Sequence, residues 1–334
     1  MLKFQKMKRM KKILIICLVT ISIIIAGMFI ANHFFLATYQ NKNIWLKKVH
    51  PLVIAHAGGR DLNPDNTMRA FKHAYSLGVD VIELDAMMTI DSVLVAHHGE
   101  NETGNIKLQS NGNGIVHKMT YDELQKYNFG YNFKDEEGNY PYRNISQDEV
   151  LKLEISIPRI EDIFKTFGQN MRYNIEIKAY SGSWHKEPVK ELFRLIEKYN
   201  LSKHVLLTTF NDDINDLLSS ENINVAKSTS KGYTAEFIMK HLTGISFLFK
   251  PENNAAIEIP VREKAPYLGE LDLTSTSLIK KAHKMNMAVY YWTINDVEEM
   301  SRLIEKGIDG IITDRPDLMI SLLKKMEKEN NGFF

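Results

Sequence analysis

Gly78-Val-Asp-Val-Ile-Glu83-Leu-Asp85 and, further on, Arg172-Tyr-Asn-Ile-Glu176-Ile-Lys178 decide how this chain folds. Both are short runs rich in β-branched and aromatic or leucine side chains, the composition of a strand. Both follow a stretch of helical character. Residues 67–77 place Met68, Phe71, Ala74 and Tyr75 on one face and stop at Gly78, and residues 160–167 form the matching helix before the second run. Strand-like runs separated by single helices imply a parallel sheet. Both runs also finish in charged residues, which a purely structural strand has no need of.

Working outward, the same alternation recurs along the chain. Strands are expected at 52–56, 79–85, 93–97, 172–178, 205–209, 224–228, 245–249, 287–293 and 309–313. Helices are expected at 67–77, 160–167, 188–199, 212–219, 234–241, 276–285, 297–306 and 316–327. About eight principal strands in a body of this length fit an α/β fold of the TIM-type (β/α)8 barrel class. A doubly wound open sheet is the alternative, but it would carry a glycine-rich phosphate loop after its first strand, and Gly58-Gly59 has no helix directly behind it. The stretch 99–156 is rich in Asn, Gly and acidic residues and reads as an insertion or lid after the second barrel strand. Within it Thr120 and Glu123 suit a capping box for a helix over 120–127.

Charge is unevenly placed. Six of the 42 Lys and Arg lie in residues 1–12, which contain no acid, leaving 36 against 41 Asp and Glu in the rest. A mildly acidic body excludes a nucleic-acid partner, whose phosphates need a basic face. Residues 13–31 carry no charge and span roughly 28 Å as a helix, close to the thickness of a bilayer core. The expected layout is a cytoplasmic basic tail at 1–12, a transmembrane anchor at 13–31, a polar linker at 32–50 and a barrel domain at 51–328. Basic residues before the span place the barrel domain outside the cytoplasm, on a single-pass cell-membrane protein. A cleaved signal peptide is the alternative reading of the same run. Cys17 is the only cysteine, so no internal disulfide forms.

In a parallel barrel the active site gathers at the C-terminal ends of the strands. Polar residues that finish apolar strands are therefore the candidates: His56, Glu83, Asp85, His97 and Glu176. Glu83 and Asp85 are two apart and share a strand face. Adjacent carboxylates resist ionising together unless a cation lies between them, and a third from Glu176 makes an oxygen donor set suited to Ca²⁺ or Mg²⁺. Salt bridges to neighbouring Lys or Arg are the alternative. His56 and His97 are candidate acid and base, with structural histidines or zinc ligands as the competing reading.

At these residues the sequence resembles the glycerophosphodiester phosphodiesterase family. The family's opening H-R-G…P-E-N-T segment reads His56-Ala-Gly-Gly-Arg-Asp-Leu-Asn-Pro64-Asp-Asn-Thr67 here. Its G-x-D-x-I-E-x-D segment is Gly78–Asp85, its V-H-D segment is Val95-Ala-His97-His98, and its T-N-G-x-G-x-V run is Ser110-Asn-Gly-Asn-Gly114-Ile-Val116. Its I-P-x-L-E-E run is Ile157-Pro-Arg-Ile-Glu161-Asp162, and N-I-E-I-K is intact at 174–178. Trp292-Thr-Ile-Asn295-Asp296 and Asp309-Gly-Ile-Ile-Thr-Asp314-Arg-Pro316 follow.

The resemblance implies a TIM-type barrel that hydrolyses a small-molecule phosphodiester. It implies one divalent cation, Ca²⁺ or Mg²⁺, on Glu83, Asp85 and Glu176, with His56 and His97 as the acid–base pair. Lys178 is expected beside the phosphate and Trp292 on the pocket wall. Ala57 stands where the family has Arg, and Arg60 is its expected replacement in gripping phosphate. Asp65 replaces Glu, and His98 replaces Asp. Asp314 is expected to cap the last helix. Two other functions fit the same residues: a phospholipase D- or C-like enzyme acting on lysophospholipids, and a non-catalytic phospholipid or polyol-phosphate binding protein.

Overall fold

The structure is a computed structural model and describes residues 2–34, 43–47, 49–99, 104–178, 186–221, 224–265 and 269–329. A long helix α1 (Leu2–Phe34) precedes the body. The body then runs β1 (Leu52–Ala55), α2 (Met68–Leu77), β2 (Val81–Met88), β3 (Leu94–Ala96), α3 (Tyr121–Leu124), α4 (Gln147–Lys152), α5 (Ile160–Phe167) and β4 (Arg172–Ile177). It continues through α6 (Lys186–Lys198), β5 (Val205–Thr208), α7 (Asp212–Ser220), β6 (Ala226–Ser228), α8 (Lys231–Leu242) and β7 (Asn254–Ile259). A hairpin of β8 (Arg262–Ala265) and β9 (Gly269–Asp272) follows. The chain ends α9 (Thr276–Lys284), β10 (Ala288–Tyr291), α10 (Val297–Glu305), β11 (Gly310–Thr313) and α11 (Pro316–Glu329).

Strands pair in the order β1-β11-β10-β7-β6-β5-β4-β2, all parallel, and β2 pairs back onto β1 to close the ring. This is the eight-stranded TIM-type barrel the sequence implies. Local chemistry explains the element ends. Thr67 accepts from Ala70 N–H to cap α2, and Gly78 ends that helix at φ +82°, where a side chain would be strained. Thr120 and Ser146 form capping boxes with Glu123 and Glu149.

Two expected strands differ. The run at 245–249 is a 3-10 turn (Ser246–Leu248), in which Phe249 packs on Phe237 of α8, 5.2 Å between ring centroids. Its apolar character seats a turn beneath a helix, and the strand of the barrel is instead β7. The run at 93–97 becomes β3, which pairs antiparallel with β2. The turn between them is too short for a parallel crossover.

The barrel interior is graded along its axis. On the inward faces, Leu52, Ile54, Val81, Leu206, Ala256, Ala288, Tyr290 and Ile312 form one apolar cluster with Trp45. The opposite faces of the strands pack against the helices as a second core. Gly310 makes room in the first cluster, because a Cβ there would come within 2.9 Å of the Tyr290 ring. Of the stretch expected as a linker, 35–42 and 48 lie outside the described residues, but residues 43–47 are docked. Trp45 is 1% exposed. The Tyr290 hydroxyl donates to Trp45 O at 2.7 Å, and Asn43 Nδ2 donates to the carbonyls of Ala255 and Asn286 at 2.6 and 2.7 Å. Lys47 N–H reaches Asp309 Oδ1 at 3.1 Å. This segment plugs the N-terminal end of the barrel. Between β2 and α5, the inserted residues build a small core of their own from Met87, Val95, Ile106, Val116, Leu124, Phe129 and Ile157; positions 100–103 of the expected insertion lie outside the described residues.

In α1, Arg9–Met28 is long and apolar enough to cross a membrane. Its Ile13, Leu14, Val19 and Ile24 are more than half exposed, an arrangement that water does not favour.

Candidate active site

Continuing the inward faces past the apolar cluster brings the polar residues together. His56 follows Ile54, Glu83 and Asp85 follow Val81, and Glu258 follows Ala256. Trp292 follows Tyr290. From β4, Asn174 and Glu176 share the inward face, and Lys178 follows. A cavity of about 410 Å³ opens here, lined by His56, Glu83, His98, Asn174, Glu176, Lys178, Thr208, Phe210, Glu258 and Trp292 among others.

Glu83, Asp85 and Glu176 each offer a carboxylate oxygen, and the three lie within 4.8 Å of one another. Glu83 Oε2 accepts the Ala57 N–H at 2.6 Å. Asn66 clamps Asp85, donating to its Oδ2 at 2.8 Å and accepting its N–H at 3.1 Å. Lys178 Nζ stands 2.8 Å from Asp85 Oδ1 and 2.8 Å from Glu176 Oε1. Burial opposes ionisation of Asp85, but the charge and hydrogen bond of Lys178 together with the charges of His98 and His56 outweigh it and hold the carboxyl well below its usual range. Burial and the neighbouring Asp85 push Glu83 up to about 8, and burial raises Glu176 despite Lys178. The Lys178 ammonium and the His56 ring thus face three carboxyls, Glu83 and Asp85 buried and Glu176 partly so. A hard divalent cation fits this all-oxygen donor set.

The histidines separate. Burial alone would lower His56, but Asp314 and the carboxylates of Glu83 and Asp85 overcome it and raise it to about 9. Its Nδ1–H donates to Asp314 Oδ1 at 2.6 Å. Asp314 is oriented in turn by Asn295, whose Nδ2 donates to its other oxygen at 2.8 Å. Asp314 therefore positions His56, contrary to the helix-capping role expected from the Asp-Arg-Pro turn. His97 is fully buried with its ring edge-on to Phe129, 5.6 Å between centroids, and does not line the cavity. Burial lowers it to about 4. His98 faces the cavity instead, with Nδ1–H donating to Gly99 O at 2.7 Å, and Nε2 is the ring nitrogen that this bond does not engage.

Among the other expected residues, Lys178 and Trp292 line the cavity, the latter edge-on to Phe210 at 5.7 Å. Arg60 is not in the lining. It sits on the rim with Nη2 3.3 Å from Asp65 Oδ2. Its charge is also felt by Asp314, Asp85 and Glu83. Glu258 is a site carboxyl that sequence reading passed over, because its strand was not expected. Asn174 Nδ2 and the Thr208 hydroxyl donate to it at 3.1 and 2.9 Å, and burial lifts it to about 7. The alternation Ala256-Ile-Glu258-Ile, an acid between apolar residues, was its signal.

Comparison with known proteins agrees with this fold. Residues 56–318 match the family model described as glycerophosphoryl diester phosphodiesterase family. A glycerophosphodiester phosphodiesterase from Caldanaerobacter subterraneus subsp. tengcongensis is 29% identical, over 82% of this chain and 98% of its own length. The human lysophospholipase D GDPD1 is 26% identical, over 79% of this chain and 83% of its own. Among solved structures, the glycerophosphoryl diester phosphodiesterase domain of a Mycobacterium tuberculosis protein superposes with TM-score 0.65 at 16% identity, covering 83% of this chain and 99% of that one. A phosphodiesterase from Oleispira antarctica in complex with the product sn-glycerol-3-phosphate gives 0.60 at 17%, covering 82% and 97%. The match runs from the first barrel histidine into the last helix, and the chain belongs to the glycerophosphoryl diester phosphodiesterase family of phosphoric diester hydrolases.

Proposed function

We propose that the protein is a metal-dependent glycerophosphodiester phosphodiesterase in which His56 and His98 carry the protons. One observation supports this reading above the others. One cavity exposes Glu83 and Glu176 of the three-carboxylate cluster, an imidazole paired with Asp314 and a second imidazole whose Nε2 is left outside its Nδ1 bond. His98 takes the place that sequence reading gave to His97, whose ring is buried outside the cavity. Glu83, Asp85 and Glu176 would hold one divalent cation, Ca²⁺ or Mg²⁺, which when bound supplies Lewis acidity to a phosphoryl oxygen and offsets the charge of the transition state.

The protein's own groups do the rest. His98 Nε2 takes the proton from the glycerol hydroxyl beside the ester. That oxygen bonds to phosphorus and the bond to the alcohol breaks. His56, kept protonated by Asp314, donates its Nε2 proton to the departing oxygen. The cyclic phosphate then opens with water, the histidines exchange roles, and glycerol phosphate is released with both rings restored. Lys178 holds a fixed positive charge beside the phosphate, and Trp292 with Phe210 walls the alcohol side. Helix α1 anchors the chain in the cell membrane with the barrel outside the cytoplasm, in keeping with the basic residues before it.

The test is alcohol release from glycerophosphocholine by the purified full chain, with and without a chelator. Loss of activity with the chelator and recovery with Ca²⁺ or Mg²⁺ is expected. Hydrolysis indifferent to chelation would remove the metal role given to the three carboxylates. The human relative's name favours a second reading, hydrolysis of lysophospholipids by the same residues.

A further inference from the structure

We infer that the mouth of the barrel faces away from the membrane that holds α1, and that the enzyme takes phosphodiesters arriving from the water phase, not lipids of its own bilayer. This rests on the anchored-phosphodiesterase reading and chooses between its two substrate classes. The argument begins at Trp45. It is sealed into the N-terminal end of the barrel, and Asn43, Lys47 and the Trp45 carbonyl are hydrogen-bonded to barrel residues around it. The chain therefore leaves the barrel from the pole opposite the cavity. Helix α1 also comes against the Ser246–Leu248 turn, which precedes β7 and lies at that same pole.

Reach settles the consequence. Residues 35–42, between the end of α1 and Asn43, bridge at most about 30 Å when fully extended. A domain of roughly 280 residues has a radius of gyration of about 19 Å, which corresponds to a sphere of radius about 24 Å. The path over its surface from one pole to the other is then about 75 Å. A tether fixed at the bottom pole lets the barrel lie on its side, but it cannot turn the mouth onto the bilayer. A lysophospholipid in that bilayer would have to leave it entirely to bring its phosphodiester to Glu83 and His98. A soluble glycerophosphodiester, or a glycerol-phosphate polymer in the surrounding water, meets no such barrier.

The experiment uses the full chain in phosphatidylcholine vesicles and in detergent. Glycerophosphocholine added to the bulk should be hydrolysed at similar rates in both. Lysophosphatidylcholine mixed into the enzyme's own vesicles should be cleaved at least tenfold more slowly than in detergent micelles. Inserting about forty Gly and Ser residues between Thr38 and Tyr39 should abolish that difference and leave glycerophosphocholine turnover unchanged. Equal cleavage in bilayer and micelle by the parent chain overturns the inference. A readout free of activity covers a pocket that rejects acyl chains. In a Cys17→Ser background, a donor dye at Lys203→Cys, in the loop before β5, should transfer energy strongly to a membrane acceptor. A dye at Lys264→Cys, on the β8–β9 hairpin at the mouth end, should transfer severalfold less. Equal or reversed transfer overturns the orientation. Failure to float with vesicles defeats the anchor and the orientation together, whereas absence of glycerophosphocholine hydrolysis in detergent defeats the enzymatic reading alone.

Discussion

At the N-terminal end of the barrel, Leu52, Val81, Leu206, Ala256 and Ala288 close around Trp45. Two to four residues further along the same inward faces stand His56, Glu83, Glu258 and Trp292 at the cavity, with Asp85 buried beside Glu83. The first end is apolar, and the Trp45 carbonyl has its donor in Tyr290. The second end crowds carboxylates whose ionisation burial opposes. Burying a tryptophan removes 150–250 Å² from water, worth about 4–6 kcal/mol at 25 cal/mol per Å². Burying like charges costs stability unless a cation joins them. The same strands thus store stability at one end and concentrate charge at the other, and substitutions at the two ends should fail in different ways.

The sharpest test of that division is His98→Ala. Removing a general base from the polar end should cut kcat by about 10²–10⁴ with little change in the melting curve. His97→Ala should show the reverse, with lost stability and kcat within a few-fold. Initial rates and thermal melts on the two variants decide it. A His97 variant as inactive as the His98 variant would return the acid–base role to the buried ring.

Trp45→Ala tests the other end. Truncating a buried tryptophan typically costs about 3–5 kcal/mol. Denaturant unfolding should report a loss of that size, while kcat at a temperature where the variant remains folded should stay within about twofold of the parent. Lost activity without lost stability would mean that the plug communicates with the cavity.

The contrast also explains what was legible in the sequence. Glu83, Asp85 and Glu176 were readable because they sit in continuous strands, where a period of two fixes which side chains share a face. His98 was not, because β3 ends at Ala96. Past a strand end periodicity says nothing about which of two adjacent histidines turns inward. Asp314 was read from its local turn, whereas its partner His56 lies 258 residues away. Such a pairing exists only once the ring has closed. Glu258 and Trp45 were obscured by their surroundings: a turn whose hydrophobicity imitated a strand, and a polar segment whose single tryptophan is the residue that docks.

Acid should expose the cost of the buried His97. Its imidazole titrates near 6.5 in the unfolded chain and about 4 when folded. Above pH 6.5 the ring is neutral in both states and has no effect. Between 6.5 and 4 the unfolded chain takes up a proton that the folded one refuses, so stability falls with pH by up to about 3 kcal/mol, then levels off. His97→Leu should flatten that part of the stability curve. An unchanged slope would assign the acid lability to other groups.

The smallest effect concerns the carboxylate cluster. A ligand bound only by the folded state stabilises it by about 2.7 kcal/mol at a hundred times its dissociation constant. Adding Ca²⁺ or Mg²⁺ to chelator-treated protein should therefore raise the melting temperature by a few degrees. Glu83→Gln removes a carboxyl that a cation would bind in its ionised form and retains an oxygen donor. In the cation-free state this variant should match the parent's stability near neutral pH, because burial and Asp85 already keep Glu83 largely protonated there, yet it should gain less from added cation and lose turnover. The combination matters more than either half. A cluster whose only task was to hold β2 against β4 through Lys178 would show no cation-dependent melting shift in either protein. A cation site should show the shift in the parent and a smaller one in the variant.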